Sequence, residues 1–380
     1  MIAALRVRGP FRGPSGYDHH VREFVRELVR QDVAVQLVDL PEWGAARLPE
    51  QVRDRWFDQF SQPVDASITL HFTMPHQVIS DGYGLDVNYT MFEATRVPAT
   101  WVEHNRRHAL VIVPTESSRQ AWLAAGFPAD RLRICPLGIN ADLFGGSVEP
   151  LPLRTETGVP VASYRTRFLN VSELGPRKNV TGLLRAWLIA TSADDDALLM
   201  LKLGRYAPGW FDLFTHQLQQ LQRHVGQTFR QAAPVEFLFD LLSDAEMPRL
   251  YATATHYISL SHGEGWDQTM VEAAASGLRL IAPDHSAYRA YLRSDMATLI
   301  PSREVPARFD GDPPLQVLFA GANWWEPDVE TAAAAIRRAI DGQDGERRGA
   351  REQVLTQFTW QRSTCRLLEL LSELAVREVR

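Results

Sequence analysis

Cysteine is nearly absent from this chain. Only Cys135 and Cys365 occur in 380 residues, which excludes a disulfide framework and a cysteine-based metal cluster. A net positive charge is also lacking. A formal net charge of −6 argues against broad nucleic-acid binding, which needs a surplus of Lys and Arg to neutralise phosphates. No apolar run approaches the roughly 20 residues of a membrane-spanning helix. The segment from Met1 to Val7 is too short and too quickly charged to read as a signal peptide. The first βα turn lacks Gly-x-Gly-x-x-Gly spacing, which weighs against a dinucleotide-dependent dehydrogenase. There is no internal repeat and no low-complexity tail. A hydrophobic share of 45% and a charged share of 23% are those of an ordinary soluble globular protein, and the expected location is the cytoplasm.

What is present is a β/α alternation. Ile2 to Val7 reads as a strand, followed by a Gly- and Pro-rich loop from Gly9 to Gly16. A helix follows, with Val21, Phe24, Val25, Leu28 and Val29 at helical spacing, and then a strand from Val33 to Val38. Further strands are expected at Ala66 to Leu70, Val87 to Phe92 and Leu110 to Val113. The stretch from Gly145 to Ser163 reads as a linker. A second alternation then runs through Phe168 to Val171, Leu198 to Leu203, Val235 to Phe239, His256 to Leu260 and Leu278 to Ala282. Ser243 and Glu246 have capping-box spacing. The pattern predicts two doubly wound α/β domains, residues 1–155 and 165–345. A C-terminal segment, 346–380, is long enough to cross back to the first.

The most informative stretch is Ser261 to Ala273. Glu264 and Glu272 stand eight positions apart, with Gly263 and Gly265 flanking the first and an alanine-rich helix around the second. A strand, a glycine-bracketed loop and a helix start form an anion site, because free N–H groups and the helix dipole converge there. Carboxylates beside such a site can accept hydrogen bonds from sugar hydroxyls. Thr269 and Glu272 also have the spacing of a capping box, so a purely local role for Glu272 stands beside the binding role.

This segment resembles the Glu-x7-Glu signature of retaining glycosyltransferases of family 4, usually close to Gly-Glu-Gly-Phe-Gly-Leu-Pro. Trp266 replaces the phenylalanine here, and Asp267, Gln268 and Thr269 replace Gly-Leu-Pro. The resemblance extends to Pro136–Phe144, to Val111–Ser117, to the Arg-Lys step at Pro176–Asn179, and to Trp325–Asp328. It implies the GT-B fold, in which two Rossmann-like domains face a cleft. It also implies a donor that is a nucleoside diphosphate sugar, GDP-mannose or a UDP-sugar. The acceptor would be a glycan, a lipid-linked group or a protein, with peripheral membrane contact open and no nucleic acid. No cofactor or metal is expected.

The resemblance places Glu264 on the sugar hydroxyls and Glu272 on the ribose. Arg177, Lys178 and the amides from Gly265 to Thr269 fall on the diphosphate, which needs fixed positive partners as it departs. Relatives carry another arginine where Ser172 and Glu173 stand, so Arg177 is assigned that work. The nucleobase is expected near Phe239 to Leu242. Gly16, within Ser15-Gly16-Tyr17, stands where relatives hold the donor, although a simple strand-to-helix turn explains it equally well. Glu93 occupies the place of a histidine near the reacting carbon, with capping as an equal alternative. His71 and His76 are weaker catalytic candidates. Asp194 to Asp196 reads as a solvated turn. A sugar-nucleotide epimerase and a non-catalytic relative are the rival readings.

Overall fold

The computed structural model describes residues 2–378, apart from 41–42, 44–47, 51–52, 81, 83, 205–209, 310–312 and 346. The chain forms two compact units. The first comprises residues 1–138, 318–322 and 357–380, and the second residues 139–317 and 323–356. The division thus falls at Gly138–Ile139, ahead of the Pro- and Gly-rich stretch.

In the first unit, strands β1 (Ala4–Arg8), β2 (Ala34–Val38), β3 (Ile68–Phe72), β4 (Leu85–Tyr89), β5 (Leu110–Val113) and β6 (Leu132–Ile134) form one sheet. Its order is β2-β1-β3-β4-β5-β6, and every pairing is parallel. The direction of winding reverses between β1 and β3. Helices α1 (Gly16–Arg30), α2 (Ala99–Asn105) and α3 (Glu116–Ala124) connect these strands. Helix α1 buries Val21, Phe24, Val25 and Leu28, the apolar face read from the sequence. Each strand begins or ends within a few residues of its expected position. The three-residue β6 carries too little apolar pattern to be foreseen.

The second unit begins with α4 (Ala141–Phe144) and builds its sheet from β7 (Thr166–Glu173), β8 (Ala197–Gly204), β9 (Val235–Leu238), β10 (His256–Ile258), β11 (Arg279–Pro283) and β12 (Thr298–Ile300). The order is β12-β11-β10-β7-β8-β9, again all parallel. Helices α5 (Val180–Ala190), α6 (Trp210–Val225), α7 (Glu246–Ala252), α8 (Gln268–Ala275) and α9 (Tyr288–Tyr291) cover it. Strand β8, Ala-Leu-Leu-Met-Leu-Lys-Leu-Gly, is buried along nearly its whole length, as its continuous apolar run requires in a parallel sheet with helices on both faces. An antiparallel hairpin follows, β13 (Ser302–Pro306) and β14 (Asn323–Pro327), with α10 (Pro313–Leu318) between its strands. Helices α11 (Val329–Ile340) and α12 (Ala350–Gln357) complete this unit, and α11 packs beside α5. Both expected doubly wound halves are therefore present.

Helix α13 (Trp360–Glu378) belongs to the first unit and packs against α1. Trp360 reaches Phe24 at 5.2 Å between ring centroids. A Cβ at Gly138 would collide with the Trp360 backbone, so glycine there lets α13 start close to the segment that follows β6. The Ser243–Glu246 capping box is only half formed. Glu246 accepts from the Ser243 amide at 2.8 Å, but the Ser243 hydroxyl donates to the same carboxylate instead of capping, and α7 starts at Glu246 itself.

Candidate functional site

In the second sheet the winding reverses between β7 and β10, and ligands of open α/β sheets bind outside the carboxyl ends of strands at such a point. The loops that leave these two strands, Leu174–Asn179 and Ser259–Asp267, carry the predicted charged residues. They are stitched together by buried polar contacts. Asn179 takes a left-handed conformation, φ 50°, and caps α5 by accepting from Gly182 N at 3.1 Å. Its amide meanwhile donates to Leu260 O at 2.9 Å. Asn170 donates to Ile258 O at 2.8 Å, and His262 N donates to Arg177 O at 2.8 Å.

Glu264 sits at the centre of the pair. Its side chain is 5% exposed; Oε2 lies 2.9 Å from Arg177 Nη1 and Oε1 2.7 Å from Lys178 Nζ. Arg177 Nη1 also donates to Gly263 O at 2.8 Å. Burial alone would raise the Glu264 pKa, but the two cations dominate and hold it at about 2. Burial likewise opposes the charge of Lys178, and Glu264 and Asp267 overcome it, raising the Lys178 pKa. Lys178 is 18% exposed and ion-paired.

Asp267 precedes α8 in a left-handed conformation, φ 61°. Its Oδ1 lies 4.0 Å from Lys178 Nζ and accepts from the Thr269 hydroxyl at 2.9 Å. Helix α8 has no side-chain cap. The capping-box role for Thr269 and Glu272 is therefore corrected: the helix starts at Gln268, so Thr269 lies inside its first turn. Glu272 instead points into the protein and accepts from Tyr251 OH at 2.8 Å. Burial, assisted by Asp244 and Asp267, raises its pKa to about 8, so at neutral pH it is mostly protonated. Gly277 (φ 80°) lies just past the end of α8, as expected.

A second layer holds the Glu264 loop. Ser286 Oγ accepts from Glu264 N at 3.2 Å, and His285 pairs with Ser286 Oγ at 2.9 Å and Ser261 O at 3.0 Å. Burial drives the His285 pKa down to about 3, so it acts as a neutral brace. The hairpin supplies the rest. Trp324 stacks on His262 at 4.5 Å, Trp325 on His285 at 5.1 Å, and Glu326 lies 2.9 Å from His262 Nε2. Trp266 turns inward against Tyr291, at 5.3 Å between rings, and its carbonyl accepts from Tyr291 OH at 3.0 Å. Gly263 and Gly265 are not among the glycines with positive φ. Phe239 is 43% exposed just beyond β9, at the far edge of the same sheet.

Glu93 and Gly16 belong to the first unit. Glu93 is half-buried beyond β4, and its charge acts on Tyr17, whose pKa burial has already raised. Tyr17 OH lies 3.2 Å from Thr90 Oγ1 and accepts from Met91 N at 3.0 Å. A Cβ at Gly16 would meet nothing nearer than His20 Cε1 at 4.0 Å, so packing does not demand glycine there. His71 is fully buried and pairs with Asp86 at 2.8 Å; His76 stacks on Trp101 at 6.1 Å. Asp195 pairs with Arg337 at 2.9 Å, and Asp196 accepts from Arg165 N at 2.9 Å, so the three-aspartate turn is pinned to its own unit. Among the described residues no group of His, Cys, Asp and Glu is arranged to hold a metal ion, and no helix is long and apolar enough to cross a membrane.

Sequence reasoning missed Tyr251, Tyr257, Ser286 and His285, and it picked out Trp325–Asp328 without the hairpin that carries it. These act through tertiary packing and carry no local spacing signal.

No protein-family model and no curated protein matches the sequence. Solved structures do. HepE from Anabaena, in complex with UDP and glucose, aligns over 98% of this chain and 100% of its own with TM-score 0.67 and 15% identity. Sucrose-phosphate synthase from Thermosynechococcus elongatus aligns over 98% and 99% with TM-score 0.66 and 14% identity. A glycosyltransferase from Rickettsia africae aligns over 98% of both chains with TM-score 0.63 and 12% identity. The chain has the GT-B fold. At these identities the likeness fixes the architecture, and the chemistry rests on the residues themselves.

Proposed function

We propose that this chain is a retaining glycosyltransferase of the family 4 type, which moves a hexose-type sugar from a nucleoside diphosphate to an acceptor hydroxyl. The observation that carries the reading is the buried Glu264 carboxylate, gripped by Arg177 and Lys178 at the switch point of the second parallel sheet. Each Glu264 oxygen spends one lone pair on a cation and keeps acceptor capacity for sugar hydroxyls. Arg177 and Lys178 face the charge that grows on the leaving diphosphate, supported by the uncapped start of α8. Glu272, steadied by Tyr251, takes the ribose. The bond from the anomeric carbon to the diphosphate breaks, the acceptor oxygen bonds the same face, and the acceptor proton passes to the departing phosphate. No protein base and no metal are required by this scheme.

Complexes of HepE with UDP and with UDP-glucose make UDP-glucose the first donor to test, ahead of GDP-mannose and UDP-N-acetylglucosamine. The test is thermal stabilisation across a panel of nucleotide sugars, followed by product analysis. A ligand at 100 times its dissociation constant adds about 2.7 kcal/mol. The expected result is stabilisation by one donor with slow release of free sugar of retained configuration. Absence of stabilisation by any nucleotide sugar refutes the reading, and clean isomerisation would make the protein an epimerase.

A further inference from the structure

Asp267 stands at the start of α8 in a backbone region where Asp, Asn and Gly are at home, φ 61° and ψ 71°. Its side chain is 3% exposed. One oxygen, Oδ1, meets the Thr269 hydroxyl and lies 4.0 Å from Lys178 Nζ. The other, Oδ2, is buried with no hydrogen-bond partner. A buried anionic oxygen left bare is costly, and the surroundings do little to offset it. Glu264 and Glu272 lie in the same cluster, and the rings of Tyr251, Tyr257, Tyr288 and Tyr291 all feel the Asp267 charge. Lys178 is the cation that answers it, and Lys178 is closer to Glu264. Burial first and Glu264 second therefore hold Asp267 above the usual carboxylate range, against Lys178 and the hydroxyls of Tyr288 and Thr269.

A diphosphate bound at the start of α8 brings further negative charge to this spot, and like charges so close do not all stay ionised. A protonated Asp267 removes the repulsion and gives the bare oxygen a hydrogen to donate. We propose that Asp267 takes up one proton from solvent when a nucleoside diphosphate binds at the start of α8, and that its Oδ2–H donates a hydrogen bond to a phosphate oxygen. The proton returns to solvent on release. The proposal rests on the donor-binding reading of this site and adds a pH dependence to it.

The experiment is calorimetric titration of the full-length protein with UDP and with GDP, in buffers of different ionisation enthalpy, from pH about 6 to about 9. Wild type is expected to take up as much as one proton more than Asp267→Asn. Its affinity should fall with rising pH by up to about tenfold per unit, while the variant's stays flatter. Asparagine suits the backbone conformation and places an N–H donor near Oδ2. The nucleotide's own terminal phosphate, with pKa about 6, titrates in both proteins and cancels in the difference. Asp267→Gly, which also suits φ 61°, should lose the extra proton as well and replaces the first variant if that one fails to fold. Binding with equal proton uptake in wild type and variants overturns the proton link while leaving donor binding intact. If neither nucleotide binds wild type at any pH, the glycosyltransferase reading falls and the proposal falls with it.

Discussion

Helices α1 and α8 each follow a strand at the switch point of a parallel sheet, and each has an aspartate at its start. Asp18 at the start of α1 is spent on its own backbone. Its Oδ1 accepts from Gly13 N at 2.6 Å, its Oδ2 accepts from Ser15 N at 3.2 Å, and the Ser15 hydroxyl completes a capping box. Arg22 then ties the loop by donating to Phe11 O at 3.1 Å and Gly13 O at 2.9 Å. Asp267 at the start of α8 caps nothing and keeps one oxygen bare. The first start is closed by local hydrogen bonds. The second keeps a buried carboxylate oxygen without a hydrogen-bond partner, which makes it the candidate functional place of the two.

The largest expected effect is at the second start. Lys178→Ala should slow turnover by roughly 10²–10³-fold, the scale for losing one electrostatic stabiliser. Arg22→Ala at the first start should act through lost stability instead. Denaturation curves beside steady-state rates separate the two, and normal turnover in a folded Lys178→Ala protein would break the contrast.

Next comes Glu264→Gln. Loss of a charge-assisted contact worth about 1.5–3 kcal/mol should weaken the sugar nucleotide by roughly tenfold to a hundredfold. Bare UDP should bind as well as before or better, because Arg177 and Lys178 are released. Equal losses for both ligands would assign Glu264 to loop architecture.

The two aspartates can then be compared directly. Asp18→Asn should cost about 1 kcal/mol, the usual worth of a helix cap, whereas Asp267→Asn should leave stability unchanged or raise it. Urea unfolding of both variants measures this, and matching losses would erase the distinction.

A pH trend gives a further test. Glu272 goes from an ordinary value of 4.5 to about 8 on folding, so the folded state holds its proton more tightly. Its favourable contribution is complete below pH about 4.5 and fades as pH rises to about 8, by at most about 1.4 kcal/mol per unit. Glu272→Gln lacks that loss. Its thermal midpoint relative to wild type should therefore climb from pH about 5 to about 8 and then level off. A constant difference would show that Glu272 is ionised in the folded protein.

The alternation of apolar strands and amphipathic helices was enough to read every strand of the two sheets except the three-residue β6 and β12, because a buried parallel strand such as β8 needs an unbroken apolar run that sequence displays openly. Glu264, Arg177 and Lys178 were also legible, through spacing and resemblance, and the structure brings them together. Their mutual pairing was not, since a salt bridge between residues 86 and 87 positions apart leaves no local trace. The capping alternative for Glu272 fails for a related reason. Thr-x-x-Glu spacing identifies a cap only when the threonine lies outside the helix, and α8 begins one residue before Thr269.

The tryptophan hairpin has a consequence for how the protein breathes. Loops near glycine normally exchange their amide hydrogens quickly. The Ser261–Glu264 loop should not. His262 N is held by Arg177 O and Glu264 N by Ser286 Oγ, and the loop gives a carbonyl to Trp325 N at 2.8 Å. With aromatic rings stacked on His262 and His285, opening this loop requires peeling β14 away, so its amides should exchange at rates closer to those of β10 than to those of a surface turn.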